Sequence, residues 1–132
     1  YKKAIEIDPQ DMYAHNNLGI VYARKGQTED AIEEWLKALE INPDYAEAHF
    51  NLGLSYTDLN KLDEAISSYK KAIELDQKLI QAYGNLGLLY EKQDNKEESI
   101  KHLEIALALA EEQGNDNYAQ NIGKELERIK GA

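Results

Sequence analysis

The sequence predicts an all-α fold of repeated helix pairs, and three observations carry that prediction. The first is self-similarity at a fixed step. Asn17 to Asn51 is 34 residues, and Asn51 to Asn85 is 34 again. The same step relates Gly19, Gly53 and Gly87, and also Tyr22, Tyr56 and Tyr90. Periods of this size mark stacked supersecondary units, each unable to bury its apolar face alone. The second is periodicity within each step. His15, Leu18, Gly19 and Tyr22 fall on one stripe at helical spacing, and Ala31, Ile32, Trp35, Ala38 and Leu39 form another. The third is punctuation. Between the two stripes of successive steps lie "RKGQTED", "DLNKLDE" and "KQDNKEE", each rich in turn formers.

The elements follow in order. Tyr1 to Pro9 matches Tyr69 to Gln77 in seven of nine places. Residues 1–11 therefore read as the C-terminal part of a preceding repeat, and the chain as a piece of a longer array or one that begins in mid-repeat. The first full repeat spans 12–45, with Gly26 ending its first helix, Thr28 capping the second and Pro43 stopping it. The second spans 46–79, with Asn60 in its turn and Gln77 where a proline would stand. The third spans 80–114, with Asn95 in its turn and a longer second helix that Gly114 ends. Residues 115–132 are expected to form a capping helix started by Asn115 or Asp116. Its apolar stripe is Tyr118, Ile122, Leu126 and Ile129, and Asn121 lies 36 residues after Asn85. Together 1–132 reads as one domain. Glycine inside a helix costs about 1 kcal/mol relative to alanine, so its return at one place implies close packing of the two helices. Ala31, Ala65, Ala38 and Ala72 are small for the same reason, and aromatics opposite them fill the remaining volume.

Composition excludes several function classes. The chain has 132 residues, 25 acidic against 15 basic, a net charge of -10 and a pI near 4.7. A nucleic-acid partner would need a basic face to neutralise phosphates. An anionic membrane surface would need the same. Without cysteine there is no disulfide, thiolate nucleophile or cysteine zinc site. No apolar run has the length of a membrane span. The expected compartment is cytoplasmic.

The row His15, Leu18, Gly19, Tyr22, Ala31, Trp35, Ala38, Pro43 resembles the tetratricopeptide repeat. His49, Leu52, Gly53, Tyr56, Ala65, Tyr69 and Ala72 repeat the pattern, as do Tyr83, Leu86, Gly87, Tyr90, Ser99, Leu103 and Ala106 more loosely. The resemblance covers almost the whole chain. It implies a right-handed α-solenoid of antiparallel helix pairs: three repeats, an N-terminal half-repeat and a C-terminal capping helix. It also implies a concave groove lined by each pair's first helix, a protein or peptide ligand held there as an extended or helical segment, and no catalysis.

Positions of the first helices not used for pair packing are then candidates for ligand contact. They include Tyr13, Asn16, Asn17, Ile20 and Arg24, then Glu47, Phe50, Asn51, Leu54 and Asp58. The third repeat adds Gln81, Gly84, Asn85, Leu88 and Lys92, and the last helix Asn117, Asn121, Lys124 and Arg128. Asn17, Asn51, Asn85 and Asn121 form a polar row. A carboxamide both donates and accepts, so it can pair with a peptide backbone without reading side chains. Similar asparagine ladders hold extended peptides in some members of the family. Tyr13 and Phe50 are the apolar ligand candidates, whereas Ile20, Leu54 and Leu88 are assigned to packing between repeats. Arg24 and Lys92 complete the peptide-binding set, and Lys92, Lys124 and Arg128 could make one groove end basic. Some members bind acidic C-termini through a lysine, asparagine and arginine clamp. The matching positions here are Asn16, Ile20, Asn51, Gln81 and Asn85, where only Asn51 agrees and no cation stands.

No chemistry competes with the binding reading. His15 and His49 lie in the packing face, and His102 has no second histidine one turn away, so no metal site is expected. Glu33-Glu34, Glu97-Glu98 and Glu111-Glu112 are assigned to a solvated face. No phosphate loop or nucleophile elbow is present, and no cofactor is implied. Two alternatives remain at this stage: a self-associating array that uses the open N-terminal face, or an accessory region of a larger enzyme.

Overall fold

The computed structural model describes residues 11–131. The half-repeat at Tyr1–Pro9, and with it the face expected to self-associate, lies outside the described residues. Those described form seven helices and no strand: α1 Met12–Arg24, α2 Thr28–Ile41, α3 Ala46–Asp58, α4 Leu62–Leu75, α5 Ile80–Lys92, α6 Lys96–Glu112 and α7 Asp116–Lys130. The expected all-α class is borne out. By proximity the chain divides into two compact units, Tyr1–Leu75 and Asp76–Ala132.

In the first unit α1 starts because the Asp11 carboxylate accepts from the backbone N–H groups of Tyr13 and Ala14, at 3.0 and 3.1 Å. It ends in a turn with Gly26 at φ 79°, where the Gln27 N–H returns to the Tyr22 carbonyl at 2.9 Å. That closure satisfies a helix-end carbonyl and needs a left-handed residue. It leaves one residue before the next helix. Gln27 therefore takes the capping position without a side-chain bond, and Thr28 is already helical rather than the expected cap. The α3–α4 turn has the same closure, Lys61 N–H to the Tyr56 carbonyl at 2.8 Å, with Asn60 at φ 59° as its left-handed residue.

Glycine and a bulky side chain lock each pair. A Cβ on Gly19 would stand 2.6 Å from the Trp35 indole, and one on Gly53 would stand 2.6 Å from the Tyr69 ring. The expected packing role is therefore seen directly. Ala31, Trp35, Ala38, Ala48 and Leu52 form the buried centre, with Met12, Tyr22 and Tyr45 packed around it.

In the second unit α5 and α6 repeat the design with Leu103 as the bulky partner, 2.7 Å from the place a Gly87 Cβ would take. The left-handed residue of their turn is Asp94, at φ 60°, and not Asn95. Asn95 instead caps α6, accepting from the Glu98 N–H at 3.3 Å. Gly114 ends α6 at φ 71°, and Asn115 caps α7 by accepting from the Tyr118 N–H. Ile122, Leu126 and Ile129 of α7 complete a core with Leu103 and Ala106. Gly123 follows Asn121 as Gly87 follows Asn85, and the same packing role is expected of it, but a Cβ there would meet nothing within 4 Å, so it is not a packing position.

Candidate functional site

The first unit carries a cleft on the side where α1 and α3 meet. It measures about 330 Å³ and is lined by Ile20, Ala23 and Arg24 of α1, by Asn51, Leu54, Ser55 and Asp58 of α3, and by Trp35 of α2. The seated Trp35 indole donates from Nε1 to the Asn16 carbonyl oxygen at 3.2 Å. Two of the expected contact residues, Asn51 and Arg24, thus share one cavity. Asn17 is half-buried one turn before the cleft on α1 and makes no side-chain hydrogen bond among the described residues.

Asn16 departs from expectation. It is 2% exposed and points under its neighbours instead of outward. Its Oδ1 accepts from Asn51 Nδ2 at 3.1 Å, which fixes the Asn51 amide on the cleft wall. The Asn51 Oδ1 accepts no hydrogen bond among the described residues. Leu54 also differs from the packing role assigned to it, whereas Ile20 keeps that role. Ile20 is half-buried and packs partly on the core, yet it walls the cleft, and Leu54 is 41% exposed. The 34-residue spacing of this aliphatic pair was the available signal.

The other first-unit candidates stand apart from the cleft lining. Tyr13 is 61% exposed, its ring edge-on to Tyr45 at 5.8 Å. Burial, and then the Glu47 carboxylate that accepts from its hydroxyl, push the Tyr45 phenol up to about 12. Phe50 is half-buried with its ring edge-on to Tyr69 at 5.7 Å.

The second unit holds Asn85 and Lys92 on α5, half-buried and exposed respectively, and Asn121 exposed on α7. Gly84, expected on the open face, is buried, because the Tyr118 hydroxyl lies where its Cβ would be. The same hydroxyl is 3.5 Å from the Ile80 carbonyl. Arg128 gives two hydrogen bonds to Glu91, at 2.7 and 2.9 Å, and also pairs with Glu125. Its charge is thereby matched, so the expected basic end reduces to the exposed Lys92 and Lys124.

Sequence reasoning placed Glu34 on a solvated face. It is buried instead and pairs with His15 Nδ1 at 2.6 Å, while Lys37 reaches its other oxygen at 3.3 Å. His49 donates from Nε2 to the Pro43 carbonyl at 2.9 Å, and His102 from Nδ1 to the Glu98 carbonyl at 2.8 Å. Among the described residues no group of three or more His, Cys, Asp or Glu side chains could hold a metal ion. No described helix is long and apolar enough to cross a membrane.

Comparison with known proteins fits this geometry. A family model described as TPR repeat matches residues 21–59 and again 53–94. Models described as tetratricopeptide repeat match 1–33 and 80–113. No curated protein matches the sequence. Among solved structures, the first TPR of Spaghetti (RPAP3) bound to the HSP90 peptide SRMEEVD is 26% identical, with a TM-score of 0.81 and 94% of each chain covered. The crystal structure of MamA is 25% identical, with a TM-score of 0.79 over 99% of this chain and 85% of that one. The TPR2B domain of yeast Sti1, in a complex with pHsp70, has a TM-score of 0.84 at 20% identity, over 91% and 96% of the two chains, and shows the fold alone. The all-α class is therefore that of these helix-pair solenoids, and the chain belongs to the tetratricopeptide repeat family.

Proposed function

We propose that residues 1–132 act as one protein-interaction domain that holds an extended peptide against its first helices, without catalysing a reaction. Asn17 and Asn51 contact the peptide backbone in the first unit, and Asn85 and Asn121 do so in the second. Tyr13, Phe50, Arg24 and Lys92 add side-chain contacts. The observation that carries the reading is the Asn51 carboxamide, held by buried Asn16 on the wall of an apolar cleft with its Oδ1 left to accept. An acceptor already oriented loses little freedom on binding. One similar structure was solved with an HSP90 peptide bound. The clamp for acidic C-termini is not part of the proposal, since only Asn51 matches it.

The test takes peptides recovered from a random-peptide display library and measures their affinity for alanine variants. A hydrogen bond of this kind is worth about 0.5–1.5 kcal/mol. Asn51→Ala and Asn17→Ala should each weaken binding by about two- to tenfold. The pair Asn85→Ala and Asn121→Ala tests the second unit separately. Unchanged affinity with unchanged helicity in all four variants would refute the ladder.

A further inference from the structure

We propose that the first unit's cleft selects a neutral aliphatic side chain of the bound peptide, with Arg24 and Asp58 enforcing that neutrality. The proposal rests on the peptide-binding reading and names the residue class that the cleft accepts. Along α1, Arg24 follows Ile20 by one helical turn, and along α3, Asp58 follows Leu54 by the same interval. Residues four apart share a helix face. The cleft is therefore built in layers: the Asn51 amide, then the Ile20 and Leu54 walls over Trp35, then two opposite charges. A volume of about 330 Å³ admits a leucine, isoleucine or methionine side chain. Leu54, at 41% exposed, is the wall with the most apolar surface left to cover.

The charges supply the selection. Arg24 and Asp58 both line the cleft, and neither enters an ion pair among the described residues. A ligand carboxylate would gain from Arg24 what it loses to Asp58, and an ammonium the reverse. Either would also give up water against apolar walls with no net compensation. An aliphatic side chain incurs none of these penalties and covers Leu54. Specificity then arises from what the rim rejects as much as from what the walls attract.

Selection of a random-peptide display library against the full chain and its variants tests this. Wild type should enrich leucine, isoleucine or methionine at one position by about tenfold, the ratio that burying one such side chain supplies. Leu54→Ser, at an exposed position, should erase that enrichment while circular dichroism stays unchanged. Asp58→Asn should shift selection toward acidic residues at or beside that position, and Arg24→Gln toward basic ones. Peptides that depend on Asn17 and Asn51 but show no aliphatic preference, or the same preference in Leu54→Ser, would overturn the cleft proposal alone. An unshifted charge preference in both rim variants would overturn the role of Arg24 and Asp58. Recovery of no peptide at all would count against both this inference and the binding function beneath it.

Discussion

Ser99 is the residue that fits its place least well. It stands where the other two repeats carry Ala31 and Ala65, it is fully buried, and its Oγ has no hydrogen-bond partner. A buried hydroxyl without a partner costs about 1–3 kcal/mol of desolvation. Ser99→Ala should therefore raise unfolding stability by about 1 kcal/mol, read as a higher urea midpoint at unchanged slope. The glycine positions were legible from sequence because helix interiors disfavour glycine, and its return at constant spacing there marks a close approach. The Asn16–Asn51 bond was not. Both residues have the composition of a solvated helix face, and only the packing of neighbouring helices buries Asn16 and leaves Asn51 half-buried. Glu34 escaped notice for the same reason: its neighbour Glu33 is exposed, and a partner 19 residues away leaves no local trace.

At the scale of elements, the same closing turn ends α1, α3, α5 and α6. In each, a backbone N–H returns to a carbonyl five residues earlier, at 2.8 to 2.9 Å, past a residue with positive φ. Two of those residues are glycine, and the others are Asn60 and Asp94. A left-handed conformation costs a residue with a Cβ roughly 1–2 kcal/mol, less for asparagine and aspartate, which form local hydrogen bonds. Asp94→Gly should stabilise the chain by about 0.5 kcal/mol once glycine's larger backbone entropy is set against that relief. A thermal melt followed by circular dichroism would show the rise. Helix number and turn location were legible here, because the turn formers recur with the period. Starting residues were not, because the closing turn itself determines where the next helix begins, as Gln27 and Thr28 show.

For the whole molecule, charge sets the acid limit. With 25 acidic against 15 basic residues, the contacts that hold carboxylates ionised decide how the chain responds as pH falls. Glu91 is the clearest case. Hydrogen bonds from Arg128 lower its pKa below 4.5, burial opposes them, and the Arg128 charge adds to the lowering. A folded pKa below the unfolded one gives stability that is present above the unfolded value and lost as pH falls through the folded one. Because both side chains are partly exposed, the contribution is the small, solvent-screened one of a surface pair. Glu91→Gln should lower the thermal midpoint slightly at neutral pH and make its decline below pH 4.5 shallower than in the parent chain. A decline of equal steepness would remove this contact from the acid response. The acidic balance was plain from composition, but this pair bridges 37 residues, outside the repeat step.

The glycine sockets have a consequence for how such a sequence can diverge. Each accepts a different side chain, Trp35, Tyr69 or Leu103, always sixteen residues ahead. The recess is strict because a Cβ there would collide with its occupant, whereas the occupant has varied from indole to phenol to isobutyl. Mutational drift is thus unequal within each lock. Its bulky half can change in kind together with the contacts around it, while its glycine half stays frozen for as long as anything fills it.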